Sequence, residues 1–242
     1  MFVCLCAPIT LLRNKIHIFK QLPMKKRKMI LVCAMLVSMA VHGQWHVGVT
    51  AGTDYNVYTM DKQYESDWQL QGRWGATMGI TGQYDVTDWL GIRADLNWTQ
   101  KNYRHHRDRM PISYKYFNDY LQLPVMASLS VGGEKLRGFV NLGVYGGYWL
   151  SSHREGYDMN MFTDKYYSFS EKVEFDDDRD QRWDCGLVAG VGLEYRFANR
   201  WAAQVEARYY HSTTSAQKQY MRVKDYRYNS TIAIQAGVNY KF

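Results

Sequence analysis

From Trp45 to the end of the chain, apolar and polar side chains alternate with a period of two. That spacing puts successive residues on opposite faces of a β-strand. Eight runs carry it: 45–52, 74–84, 90–99, 120–129, 140–150, 183–196, 201–209 and 232–242. In the first, Trp45, Val47, Val49 and Ala51 alternate with His46, Gly48, Thr50 and Gly52. In the sixth, Trp183, Cys185, Leu187, Ala189, Val191, Leu193 and Tyr195 alternate with Asp184, Gly186, Gly190, Gly192, Glu194 and Arg196.

Two architectures show such strands. A soluble sandwich buries the apolar face; a transmembrane barrel turns it to lipid and keeps the polar face inside. The connections favour the barrel. Strands 2–3, 4–5 and 6–7 are joined by short turns at Asp85–Trp89, Gly132–Arg137 and Phe197–Arg200, while long polar loops near 53–71, 101–115, 151–181 and 212–227 join the others. Strict alternation of short and long connections predicts an all-β, eight-stranded antiparallel up-and-down barrel with short periplasmic turns and four long external loops. Trp45, Tyr84, Trp89, Phe197, Trp201, Tyr240 and Phe242 fall at the short-turn end, where an aromatic girdle meets headgroups. Tyr148, Trp183 and Tyr209 fall towards the other end. Pro124 lies inside the fourth strand, so a bulge or a lost ladder bond is expected there.

The front of the chain reads as an export signal. Met24 to Met29 is basic, Ile30 to Val41 is apolar, and Val41-His42-Gly43 precedes Gln44 like a cleavage site. The segments are therefore 1–23, upstream of the expected start at Met24; 24–43, signal peptide; and 44–242, an outer-membrane barrel. Cys33 does not mark a lipoprotein, because Val32 is too large before a lipidated cysteine. Only Cys185 remains in the barrel, so no internal disulfide forms.

Charge and composition fit this division. The chain has 30 Lys and Arg against 23 Asp and Glu, but seven of the cations precede residue 44, leaving the rest formally neutral. A neutral domain gives no support for a nucleic-acid partner, which needs excess cationic charge. With 46% hydrophobic and 15% aromatic residues the chain is too apolar for disorder. Its mean hydropathy of −0.45 argues against a bundle of transmembrane helices but not against a barrel, whose strands average to polar.

Four segments resemble the PorT-like outer-membrane β-barrel family: the run from His46 to Gly52, Tyr120-Leu-Gln-Leu-Pro-Val-Met126, the run from Asp184 to Glu194, and the ending from Ala236 to Phe242. The resemblance covers nearly all of 45–242. It implies an eight-stranded barrel in the cell outer membrane, and that Pro124 is normal for the group. Val238, Tyr240 and Phe242 on alternate positions are similar to the signal read by the barrel assembly machinery. PorT is associated with protein secretion, so a secretion-system or extracellular protein partner stays open; no residue here extends that role.

Eight strands enclose an interior just wide enough for side chains, and buried charges must pair. The inward charged positions Arg93, Asp95, Glu194, Arg196, Glu206 and Arg208 are therefore expected to form a polar plug, with Glu194 or Arg196 facing Arg208 or Glu206, and Gln83 bonded to Arg93. A plugged, structural or surface-interacting barrel without catalytic residues, metal or cofactor follows. The alternatives are a narrow pore, or a lipid A acyl hydrolase built on His211-Ser212. Against the hydrolase, the last strand has no acid to orient His211. The basic loop Lys101–Arg109, with His105 and His106, faces outer-membrane lipid and lipopolysaccharide. The acidic run Glu174–Asp180 lacks the spacing of a calcium loop, and the aromatics in its loop resemble a binding surface.

Overall fold

Strands form wherever the alternation predicts them, and they run further than the alternation does. The computed structural model describes residues 44–60, 68–107, 110–160, 162–218 and 226–242; the segments 1–23 and 24–43 lie outside the described residues. The strands are β1 (Gln44–Met60), β2 (Trp68–Asp85), β3 (Leu90–Gln100), β4 (Tyr103–Arg107), β5 (Ser113–Gly132), β6 (Leu136–Asn160), β7 (Lys165–Lys172), β8 (Trp183–Arg196), β9 (Trp201–Ser212) and β10 (Arg227–Lys241). β3 and β4 make one wall strand interrupted at Lys101–Asn102, since β2 and β5 pair with both. β7 is a hairpin return on the outer half of β6.

The ring closes on itself. Each wall strand pairs antiparallel with its chain neighbours, and β1 meets β10 from His46–Lys241 to Met60–Arg227. The result is an eight-stranded up-and-down barrel, with the full ladder satisfying the backbone and leaving the wall no open edge.

The two faces are sorted as a lipid-facing barrel requires. Val47, Val49, Ile80, Leu123, Leu142, Val191, Val205 and Ile234 lie on the outside, while His46, Thr50, Asp54, Asn97, Gln122, Asn141, Gln204 and Gln235 are buried inside. Outward aromatics bound this band. At the short-turn end Trp45 packs on Tyr84 and Trp201 on Tyr240; at the other end Tyr55 packs on Trp74 and Tyr148 on Trp183. Trp45 and Tyr55 sit ten residues apart on β1, about 34 Å along the strand and about 25 Å along a barrel axis tilted about 40° from it. That is the height of a hydrocarbon band.

One expectation needs correction and another is met in one of its two forms. The stretches 53–71, 101–115 and 151–181 are largely strand: β1, β2, β5 and β6 continue beyond the aromatic girdle, and β4 and β7 lie wholly outside it. Beyond the lipid the outward face turns polar too, so the hydropathy contrast that reveals a strand disappears. The disturbance expected at Pro124 takes the form of lost ladder bonds and not of a bulge, since the register shift against β6 lies between Asp119 and Tyr120. Pro124 keeps its place opposite Tyr145 on β6. On its other side the pairing of β3 with β5 steps from Ala94–Val125 to Asn97–Gln122, so the lost ladder bonds fall there.

Candidate functional site

The lumen is filled in layers. Its centre is a quartet of buried charges. Arg93 pairs with Asp95 at 3.0 Å and with Glu206 at 3.4 Å. Arg208 pairs with Asp95 at 2.6 Å and with Glu206 at 2.7 Å. Two cations and two anions alternate in a closed, neutral cycle. Polar neighbours extend it: Asn141 donates to Glu206 at 2.6 Å, Arg93 donates to Gln204 at 3.2 Å, and Arg208 donates to the Tyr210 hydroxyl at 3.3 Å. Charge balance and added hydrogen bonds are the conditions under which buried ions are tolerated.

The wall supplies this geometry through parity. Arg93 and Asp95 are two apart on β3, and Glu206 and Arg208 are two apart on β9, so each pair projects inward from one strand. On one side of β9 the neighbouring strand offers Glu206 and Arg208 no competing side chain. β8 places Gly192 opposite Glu206 and Gly190 opposite Arg208. A Cβ on Gly190 would lie 2.4 Å from a Glu206 carboxylate oxygen, and one on Gly192 would lie 2.4 Å from the Phe139 ring. These glycines leave the room that the quartet and Phe139 occupy.

That register corrects the expected placement of Glu194 and Arg196. They stand nearer the short turns, opposite Gln204 and Ala202, and bond to each other at 3.0 Å. They do not reach Arg208 or Glu206. Gln83 is the register partner of Arg93 but donates to Asp85 at 2.8 Å, which also holds His46 at 2.9 Å. The space at this end of the lumen is about 20 Å³, room for one water.

Sequence reasoning missed the layer above the quartet. Lys101, assigned to a loop, points inward and is fully buried. Its ammonium donates to Asp184 at 2.5 Å, and Asp184 also accepts from Ser212 at 2.6 Å and Tyr145 at 3.2 Å. The Tyr120 and Tyr145 rings each lie 5.1 Å from the ammonium. The signal was present: Lys101 continues the inward series Arg93, Asp95, Asn97, Thr99. Above it, Tyr58, Tyr103 and Tyr116 stack face to face with both centroid separations at 4.6 Å. This stack floors a cleft of about 430 Å³ at the loop end, bordered by Trp149, Arg154 and Arg227.

Outside the wall, beyond the girdle, a second groove of about 680 Å³ is lined by Arg104, His106, Arg107 and Lys115 on one side and Glu155 and Tyr157 on the other. The pair considered for hydrolysis is split by strand parity. Ser212 faces inward to Asp184, whereas His211 faces outward and stacks on Tyr209. In the acidic loop Asp180 is held by Arg179 at 3.0 Å. Among the described residues no group of three His, Cys, Asp or Glu side chains is placed to hold a metal. At the chain end Val238, Tyr240 and Phe242 face outward, with Tyr240 packed between Trp201 and Phe242.

Comparison with known proteins agrees with this anatomy. No curated protein matches the chain. The outer membrane protein OprG of Pseudomonas aeruginosa is similar over 83% of this chain and 97% of its own, at 12% identity and a TM-score of 0.50, a likeness of fold. Neisserial surface protein A matches over 82% and 97% at 13% identity and a TM-score of 0.43. Ail of Yersinia pestis matches over 82% and 99% at 13% identity and a TM-score of 0.38. The family model for the outer membrane protein beta-barrel domain matches residues 29–242. The chain belongs to the outer membrane protein beta-barrel domain family.

Proposed function

We propose that this outer-membrane barrel is a closed, non-enzymatic scaffold whose working surface is its external β-structure. The observation that carries the reading is the quartet of Arg93, Asp95, Glu206 and Arg208, which fills the middle of the lumen with a neutral, mutually bonded set of side chains. An eight-stranded wall has space for side chains and little else. The opposite facing of His211 and Ser212 speaks against the acyl-hydrolase alternative. In planar bilayers the purified protein should pass no steady current; large, stable single-channel steps would overturn the closed-lumen reading.

The PorT-like resemblance fits a barrel that serves through contacts rather than transport. Export through a cleaved signal at 24–43 and recognition of Val238, Tyr240 and Phe242 by the barrel assembly machinery belong to the same reading. So does lipopolysaccharide. The basic side of the outer groove, Arg104, His106, Arg107 and Lys115, stands just beyond the girdle, where phosphate-bearing headgroups and inner sugars would surround the wall.

A further inference from the structure

The sheet order ends on β7. β7 pairs with β6 without interruption from Asn160–Lys165 to His153–Lys172. Among the described residues its other edge has no backbone partner. An open edge turns the N–H and C=O groups of every second residue outward, and proteins usually blunt such an edge with charge, proline or a bulge. β7 carries charge only at its ends, Lys165, Glu171 and Lys172. Its centre, Tyr166-Tyr167-Ser168-Phe169-Ser170, has no charge and no proline, and both tyrosines are exposed. β6 continues ten residues past Leu150 to Asn160, about 33 Å along the strand, so the hairpin stands clear of the membrane.

The edge is complementary to itself. We propose that β7 pairs antiparallel with β7 of a second copy, Ser168 lying opposite Ser168 of the partner subunit. In that register Lys165 faces the partner's Glu171, Tyr166 faces the partner's Ser170, and Tyr167 faces the partner's Phe169; the two-fold axis repeats each pair. Opposite charges and aromatic pairs directly across a ladder are the favourable ones. Strand parity is kept, since Lys165, Tyr167, Phe169 and Glu171 share one face. Both contacts of Arg154 to Glu171 use Oε1, which leaves Oε2 for the partner's Lys165.

The symmetry sets the biology. The two-fold axis of an antiparallel pair is normal to the sheet. β7 continues the barrel wall through β6, so the rotation inverts the barrel axis. The two copies therefore sit in facing membranes, not side by side in one. One pairing of this length is smaller than the roughly 1,000 Å² that a stable interface needs. Many copies between two membranes act together, and avidity supplies the rest. The proposal is a homotypic membrane-to-membrane contact, and it rests on the reading of the external structure as the working surface.

The test uses the full barrel with Cys185→Ser and Ser168→Cys, reconstituted into two differently tagged vesicle populations. Directly opposed residues of an antiparallel pair have Cα atoms about 4.5–5.5 Å apart, within disulfide range. Mixing and mild oxidation should give a disulfide-linked dimer containing one chain of each tag, and the vesicles should cluster. Lys165→Glu vesicles, or Glu171→Lys vesicles, should each fail to cluster alone, because like charges meet. Mixed with each other they should cluster again, because both pairs are restored. A heat-modifiability gel checks that every variant is folded. Absence of the mixed dimer overturns the edge pairing, as does clustering indifferent to the charge changes. A dimer formed only within one population overturns the facing-membrane geometry. None of these results bears on the closed lumen, which conductance tests separately.

Discussion

Arg208 reaches Asp95 at 2.6 Å across the barrel interior. The two residues lie on β9 and β3, which are not neighbours in the wall. The contact is an ion pair without the alignment of a hydrogen bond on that carboxylate oxygen, and Arg208 makes its aligned bond to Glu206 on its own strand. Local parity thus presents each charged pair, and barrel closure brings the two pairs together. The lumen is cross-tied through its centre as well as laced around its wall.

Removing one member should cost more than removing all. Asp95→Asn leaves two buried guanidiniums with one carboxylate, and a broken buried pair costs about 3–5 kcal/mol. Replacing Arg93, Asp95, Glu206 and Arg208 together by Leu or Met should cost far less, since apolar substitutes of similar volume are commonly neutral. Urea unfolding followed by Trp fluorescence or by heat-modifiability gives the comparison. Equal losses for the single and quadruple variants would show that the quartet does not act as a unit.

The inward set was readable from alternation alone, because lipid on one face and packed polar groups on the other give a period-two contrast. Arg93, Asp95, Glu206 and Arg208 were placed inside on that ground. Which of them meet was not readable. Glu194 looked as suitable a partner for Arg208 as Asp95 does, and only the ring closure and the register of Gly190 and Gly192 decide between them. Lys101 and the Tyr58, Tyr103, Tyr116 stack were missed for another reason. They lie where the outer face stops being apolar, and a strand without that contrast looks like a loop.

Truncation, unlike apolar replacement, should open the barrel. The quadruple change to Ala removes the side chains that fill the centre, and water enters a polar cavity that is large enough. Below it the Glu194–Arg196 and His46–Asp85 pairs remain; above it, Lys101–Asp184 and then the Tyr58–Tyr103–Tyr116 stack. Adding Lys101→Ala should carry the water-filled space up to that stack. Planar-bilayer currents that appear in the five-fold variant and not in the quadruple Leu or Met variant would place the block at side-chain volume. Silence in both would place it higher, at the tyrosine stack.

Gly192 should tolerate no side chain, Ala included, without loss. A Cβ there lies 2.4 Å from the Phe139 ring and 2.5 Å from the Val205 carbonyl. The ring can tilt, but the backbone of β9 cannot give without breaking its ladder. Overpacking of this kind costs about 1–3 kcal/mol. Gly192→Val should therefore lower the urea midpoint, and Phe139→Ala in the same chain should recover part of the loss by vacating the ring's space. A Gly192→Val barrel as stable as the parent would mean that β8 and β9 lie further apart than described.

Beyond the membrane band, the contact between β5 and the external hairpin has its own titration. The Tyr114 hydroxyl donates to Asp158 at 2.8 Å. Removal from water first, and this bond second, push its phenol up to about 12 from the ordinary 10. Because the folded value is raised, the stabilisation is fully present below pH 10 and is lost as pH climbs from 10 to 12. The hairpin that carries β7 should loosen across that window, seen as rising proteolysis between Asn160 and Lys172 while the barrel still migrates as folded. Asp158→Asn should bring the Tyr114 transition, read as the difference in 295 nm absorbance between the protein and its Tyr114→Phe variant, back towards 10. An unmoved transition in Asp158→Asn would assign the shift to burial alone and leave the hairpin without this anchor.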